Sequence, residues 1–277
     1  MPKVPNFFIV GAPKAGTTSL YHYLDQHPAI YMSPVKEPNH FASEIRLEGF
    51  AEAQQERVRH GMEETRAYLG GVMREKRFGA VGLDWNDYLK LFRNADGEKA
   101  LGEASVCYLW SQSAARNIFA RVPEAKIVMI LRDPAERAFS QYMQWTSKGG
   151  MRDTFLEACE KSIANAGGKF RPMSPFLEMG LYANQVRRYL DLFPRENIHI
   201  AFYEDYERNP KGILADLLRF LGVDETFRPD MSRRYLVGNG GGRVMSDAER
   251  RYLTDYYRED LRMLSRLLNR DLSRWQA

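Results

Sequence analysis

Residues 6–24 read NFFIVGAPKAGTTSLYHYL. Phe7, Phe8, Ile9 and Val10 form a short apolar run of aromatic and β-branched residues, the pattern of a buried strand. Gly11 to Gly16 follows as a turn, with Pro13 and Lys14 inside it. Thr17, Thr18 and Ser19 then open a segment in which Leu20, Tyr23 and Leu24 recur at helical spacing. Strand, glycine-bounded loop and helix start, in that order, aim backbone N–H groups and the positive end of a helix dipole at one point. Such a point holds a phosphate or a sulfate.

The loop has the glycine spacing of a P-loop with one difference. The nucleotide-hydrolase form, G-x-x-x-x-G-K-[ST], places Lys directly after the second glycine. In Gly11-Ala12-Pro13-Lys14-Ala15-Gly16-Thr17-Thr18 the lysine comes two places before it, and Thr17 stands where the lysine is expected. The cation therefore approaches a bound anion from another side.

Beyond this stretch, strand and helix patterns alternate. Ala29 to Met32 reads as a second strand, and two prolines, Pro34 and Pro38, extend the path through Lys36, Glu37 and His40. Residues 48–76 are charged and helix-prone, with Gly61 and Gly70-Gly71 as breaks, and Trp85 to Phe92 forms a short helix capped by Asp84 or Asn86. Ala100 to Val106 is a third strand and 111–120 a helix. Ala125 to Leu131 is the clearest strand, an apolar run suited to a central parallel position, and it ends at Arg132-Asp133-Pro134. Helices are expected over 134–147, 177–193 and 211–221, a last strand over 197–202, and a long final helix capped by Ser246 and ending near Leu268.

This alternation predicts an α/β, P-loop-type three-layer fold: a central, mainly parallel sheet flanked by helices. One domain over 1–277 is expected, with 44–99 as a peripheral helical segment on the acceptor side. Ligands of such sheets bind beyond the carboxyl ends of the strands. Lys14, Glu37, Ser105 and Arg132 are therefore expected in one cleft.

Composition narrows the function classes. The 277 residues carry 40 basic and 36 acidic side chains, a net charge of +4, with the signs interspersed. That balance argues against a nucleic-acid partner. Cys107 and Cys159 have no metal or redox spacing, no run reaches the length of a membrane span, and the first strand starts too early for a signal-peptide core. A cytoplasmic protein is expected.

Arg132, directly after the strongest strand, and Ser140 on the following helix make a second anion site; the alternative for Arg132 is an ion pair with Asp133 or Glu136. Arg137 is as well explained by a structural surface role as by a ligand role. A metal-dependent nucleotide hydrolase wants a carboxylate at the end of a hydrophobic strand, and here that position is Arg132. Two anion sites without a metal site fit a nucleotide with phosphate at both ends of its sugar.

GAPKAGTTSLYHYLDQHP, KEPNHF, GEASVCYL and ILRDPAERAFSQY, in that order, resemble the sulfotransferases that use 3′-phosphoadenosine 5′-phosphosulfate (PAPS), above all the bacterial and heparan-sulfate-type branch. FLGVD at 220–224, GGGR at 240–243 and the final helix match more weakly. The resemblance implies that Pro13, Lys14, Ala15, Gly16, Thr17, Thr18 and Ser19 hold the 5′ phosphosulfate, with Lys14 on the oxygen bridging phosphorus and sulfur. It implies Arg132 and Ser140 on the 3′ phosphate, and Gly241, Gly242 and Arg243 in a loop over the cofactor. Glu37 matches the general base of the heparan-type enzymes, and His40 is the rival, since the cytosolic small-molecule branch uses a histidine. No metal is implied. Ala104 stands where many heparan-type members have lysine, and no cysteine pair supports a disulfide; both departures favour a smaller acceptor, such as a small molecule, lipid or glycoside. Trp85, Tyr88, Trp110, Tyr142 and Trp145 are candidates for an apolar acceptor pocket. A P-loop kinase-like, ATP-dependent phosphotransferase is the alternative, and a non-catalytic nucleotide-binding protein a third reading.

Overall fold

The computed structural model describes residues 3–150, 152–166, 175–232 and 243–276. Its centre is strand β1 (Phe7–Gly11), every residue of which is buried. Full burial of Phe7, Phe8, Ile9 and Val10 stabilises the fold by about 2 kcal/mol per side chain. α1 (Thr17–Leu24), β2 (Ile30–Met32) and the two-residue β3 (Val35–Lys36) follow. The peripheral segment holds α2 (Glu52–Gly70), β4 (Arg77–Phe78) and α3 (Trp85–Lys90). Next come β5 (Ala100–Ala104), α4 (Cys107–Trp110), α5 (Ala114–Arg121), β6 (Lys126–Leu131), α6 (Pro134–Ser147) and α7 (Phe155–Ala164). The C-terminal part runs α8 (Tyr182–Leu190), β7 (Ile198–Phe202), α9 (Tyr203–Arg208), α10 (Pro210–Leu221) and α11 (Asp247–Leu268).

The main sheet has the order β2-β5-β1-β6-β7, and every pairing in it is parallel. Its neighbours leave β1 on opposite sides, so the loops after β1, β5 and β6 diverge and open a crevice at their carboxyl ends. Register is fixed by packing. Phe7 lies opposite Gly102 on β5, and a side chain at Gly102 would run into the Phe7 ring. The expected mainly parallel, helix-flanked sheet is the fold observed. Among the described residues no helix is long and apolar enough to cross a membrane.

Local expectations fail where tertiary pairing overrides them. Gly61 does not break α2, because its position faces open space and the helix continues through it. Segment 44–99 is not purely helical: β4 pairs in parallel with β3, Val35 opposite Arg77 and Lys36 opposite Phe78. The helix expected over 111–120 begins at Ala114, because Ser111 and Ser113 turn their hydroxyls to Glu44 instead. The stretch from Leu177 to Gly180 is a 3₁₀ turn preceding α8. Arg137 is neither a surface residue nor a ligand of the cleft. It is fully buried, donating to Gln141 Oε1 at 2.5 Å and to the Phe176 carbonyl at 2.7 Å, and so ties α6 to the chain before that turn.

Candidate active site

A cleft of about 520 Å³ opens at the carboxyl end of the sheet, within the size range of preformed ligand sites. Its floor is the loop after β1, where Pro13, Lys14, Gly16, Thr17, Thr18 and Ser19 line the wall. Gly16 is the N-cap of α1 in a left-handed conformation (φ 80°) and offers no capping side chain to the helix. The N-terminus of α1 therefore faces the cleft without a side-chain cap, as an anion site requires. The left-handed backbone favours glycine there, and a Cβ would sit tightly, 3.3 Å from Tyr206 and 3.4 Å from Tyr203. Ala15 is buried behind the loop.

Lys14 enters the cleft from a left-handed backbone (φ 63°), an uncommon state for a residue with a side chain. Its ammonium donates to Gln144 Oε1 at 3.2 Å. Burial, then the charges of Arg132, Lys148 and Arg137, lower its pKa to about 8. Arg132 closes the same corner. Its guanidinium donates to the Lys14 carbonyl at 2.9 Å and lies over the Tyr203 ring, 4.6 Å from the centroid. Asp133 is not its partner. Asp133 caps α6 by accepting from Ala135 N–H and gives its other oxygen to Arg250 at 2.7 Å. Glu136 stands 3.8 Å from Arg132 but 2.7 Å from Arg250. The α11 arginine thus holds both acids, Glu136 also pairs at longer range with Arg132 through its second oxygen, as the sequence alternative had it, and Arg132 and Ser140 both line the cleft.

Glu37 lines the same cleft as Lys14 and shares its backbone state (φ 63°). Oε1 accepts from the Lys36 ammonium at 2.6 Å and Oε2 from Val106 N–H at 2.9 Å. Its own N–H donates to the Ala104 carbonyl at 2.8 Å, and Asn39 Nδ2 donates to its carbonyl at 2.8 Å. A carboxylate has about four lone-pair positions, so acceptor capacity remains.

Other expected residues lie elsewhere. His40 is not brought to the cleft wall: its Nδ1 bonds the Leu83 carbonyl at 2.8 Å, and its ring stacks on Tyr88 at 4.6 Å. Burial lowers its pKa. Ser105 is fully buried, donating to Glu103 and accepting from Asn39 N–H, so the expected four-residue cleft contains three. Glu103 accepts from Ser105 and Tyr108 at 2.8 Å and from Tyr88 at 3.1 Å, and burial pushes its pKa up to about 7. None of Trp85, Tyr88, Trp110, Tyr142 and Trp145 lines the cleft. Trp85 and Tyr88 stack on each other, and Trp145 leans on Phe176. Gly241 and Gly242 lie outside the described residues. Arg243 pairs with Glu249 and lies over the Phe139 and Tyr142 rings, away from the cleft lining.

The cleft includes residues the sequence reading missed: Gln144 on α6, Tyr203, Tyr206 and Glu207 on α9, Lys211 on α10, and Phe78 on β4. The α9 group was within reach. It directly follows β7, and the rule that pointed to the carboxyl ends of the earlier strands applies equally to the last one.

A profile described as the sulfotransferase family matches residues 5–227. The crystal structure of a sulfotransferase from Alicyclobacillus acidocaldarius is 35% identical and superposes with a TM-score of 0.79, over 99% of this chain and 100% of that one. The membrane-associated sulfotransferase kil1 of Dictyostelium discoideum is 24% identical over 99% of this chain, which spans 67% of that protein. The bovine bifunctional heparan sulfate N-deacetylase/N-sulfotransferase 2 is 26% identical over 97% of this chain, which spans 30% of that enzyme. With the loop, the cleft and this likeness over nearly its whole length, the chain belongs to the sulfotransferase family and is a transferase.

Proposed function

We propose that the protein transfers the sulfuryl group of PAPS to a hydroxyl, or an amine, of its acceptor. The observation that carries this is that one cleft is lined by the α1 N-terminus with Lys14, by Arg132 and Ser140, and by Glu37, donors for anionic groups together with a carboxylate. The donor supplies a sulfuryl group on a phosphate leaving group. Thr17, Thr18 and Ser19 at the start of α1 would hold its 5′ end, and Arg132 and Ser140 its 3′ phosphate. Arg suits the latter because its fork binds two phosphate oxygens at once. The Tyr203 and Tyr206 rings, packed over Gly16, fit the base and sugar between these ends.

Lys14 offsets the charge that develops on the oxygen bridging phosphorus and sulfur, a stabilisation larger in the transition state than in the ground state. Glu37, fixed by Lys36 and Val106, takes the acceptor proton as oxygen attacks sulfur. Relatives named for heparan sulfate suggest a sugar acceptor, and the cleft also admits a small molecule or lipid.

Calorimetric titration tests the donor. Adenosine 3′,5′-bisphosphate (PAP) should bind without magnesium, and Arg132→Ala should weaken it at least tenfold. Preference for ATP with magnesium would overturn the reading in favour of a phosphotransferase.

A further inference from the structure

Beside Glu37 the cleft has a wall that neither the glycine loop nor α6 supplies. It is β4, a two-residue strand added in parallel to β3. Side chains alternate along a strand. Arg77 turns away, to lie over the Tyr68 ring at 4.5 Å, and Phe78 turns to the cleft. Phe78 is 66% exposed; of the described large apolar side chains with high exposure, which include Val72, Ile163 and Val244, it alone lines the cleft.

The backbone that carries the ring is tied down. Gly79 N–H donates to the Lys36 carbonyl at 2.7 Å and Ala80 N–H to the Glu37 carbonyl at 2.9 Å. Asn39 Nδ2 bridges the Glu37 and Ala80 carbonyls at 2.8 and 3.2 Å. Base and aromatic ring are thus carried by one hydrogen-bonded unit, with the Lys36 ammonium 5.1 Å from the Phe78 centroid.

Charge narrows what this wall can hold. Among the described residues the lining has four cationic side chains, Lys14, Lys36, Arg132 and Lys211, against the carboxylates of Glu37 and Glu207. The donor nucleotide carries more negative charge than that surplus and engages Lys14 and Arg132. Near the ring, the Lys36 cation is already neutralised by Glu37 at 2.6 Å. Ala104, whose carbonyl accepts from Glu37 N–H, is a buried alanine and brings no charge. A polyanionic chain laid here would meet an aromatic face and a neutral ion pair.

We propose that Phe78 forms the acceptor subsite, and that it selects uncharged alcohols or phenols with a flat or apolar body next to the reacting hydroxyl. This rests on the sulfotransferase reading above. Covering the ring removes apolar surface from water, and its loss should appear in acceptor binding rather than in chemistry.

The test uses the full chain and its Phe78→Ala variant, whose exposed position spares the fold. PAP is titrated calorimetrically into both, and PAPS-dependent sulfation of 2-naphthol, 1-hexanol and N-sulfated heparosan is then measured. Both proteins should bind PAP equally. The wild type should sulfate the two alcohols and not the glycan. In Phe78→Ala the KM for 2-naphthol should rise about ten- to hundredfold, the equivalent of one buried aromatic side chain, with kcat within about threefold. Phe78→Tyr should restore most of the affinity. With PAP binding intact, an unchanged KM in Phe78→Ala, efficient sulfation of the glycan, or no turnover of either alcohol would each overturn the Phe78 proposal alone. Absence of PAP binding by the wild type would instead overturn the sulfotransferase reading on which it stands.

Discussion

The Lys36 ammonium stands 2.6 Å from Oε1 of Glu37, its neighbour in sequence, and both side chains are nearly buried. Adjacent residues in an extended strand point to opposite sides. The pair forms because β3 ends at Lys36 and the chain turns into a left-handed conformation at Glu37. The strained backbone, at a cost of order 1 kcal/mol, thereby aims carboxylate and ammonium at the same space. Val106 N–H holds the second oxygen, so the carboxylate has one orientation.

Removing either partner should separate chemistry from donor binding. Glu37→Gln should lower kcat by about a hundredfold or more, the usual range for loss of a general base. Lys36→Met frees the carboxylate to rotate and should lower kcat about tenfold. Both variants should bind PAP within about threefold of wild type by calorimetry. Near-normal kcat in Glu37→Gln would remove Glu37 from the chemistry.

Lys14 sets a pH dependence. Its pKa in the free protein is lowered to about 8 by burial and by neighbouring cations. Below pH 8 it is charged and attracts the 5′ phosphate; above pH 8 it is increasingly neutral. A bound phosphate favours the charged form and raises its pKa, so binding takes up a proton above pH 8. PAP affinity should therefore be flat between pH 7 and 7.5 and fall, by up to about tenfold per unit, as pH rises past 8. The phosphates add no slope there, since their second pKa is near 6. Titrations from pH 7 to 10 on wild type and Lys14→Ala check this. The variant should bind more weakly and without the slope, and a slope that survives in it would locate the titration elsewhere.

Arg132 has two contacts that can be told apart. It lines the cleft, as Ser140 does, and it donates to the Lys14 carbonyl. If its role is the 3′ phosphate, Arg132→Ala should weaken PAP by about 2–3 kcal/mol, as for a lost charged hydrogen-bond pair, and leave 5′-AMP nearly unaffected. Arg132→Lys should recover little, since a lysine has neither the fork nor the flat face that stacks on Tyr203. Equal weakening of both nucleotides would assign Arg132 to holding the loop.

What the sequence made legible was local and consecutive. β1, the glycine loop and α1 are contiguous, and their order alone carries the proposed anion site; β6 running into Arg132 is the same kind of signal. Phe78 was out of reach because a two-residue strand has no periodicity, and its pairing with Val35 and Lys36 joins segments some forty residues apart. Arg137 read equally as a surface residue or a ligand because the sequence does not say what packs on that face of α6. The structure puts the Phe176 carbonyl there. His40 and Ser105 sit close in sequence to cleft-lining Glu37 and Val106, yet local geometry turned both inward, to Leu83 and to Glu103.

Glu103 is the buried group whose titration should be visible in stability. It lies at the end of β5 with no exposure, and three hydroxyls donate to it, yet burial still raises its pKa from 4.5 to about 7. Between those values the folded protein holds a proton that the unfolded chain has released. The native state then binds more protons, so this group makes unfolding free energy fall as pH rises from about 4.5 to 7, with no further loss above. Asp260, buried against Ala183 N–H and raised to about 6, acts in the same direction at lower pH. Glu103→Gln keeps an oxygen to accept hydroxyl bonds and has an amide that can donate to one of them, while removing the titration. Urea unfolding of wild type and variant at pH 5, 6, 7 and 8 isolates the effect, because Asp260 is common to both. The variant should gain on wild type steadily from pH 5 to 7 and then run parallel to it. Curves parallel over the whole range would mean that Glu103 holds its proton no more tightly folded than unfolded.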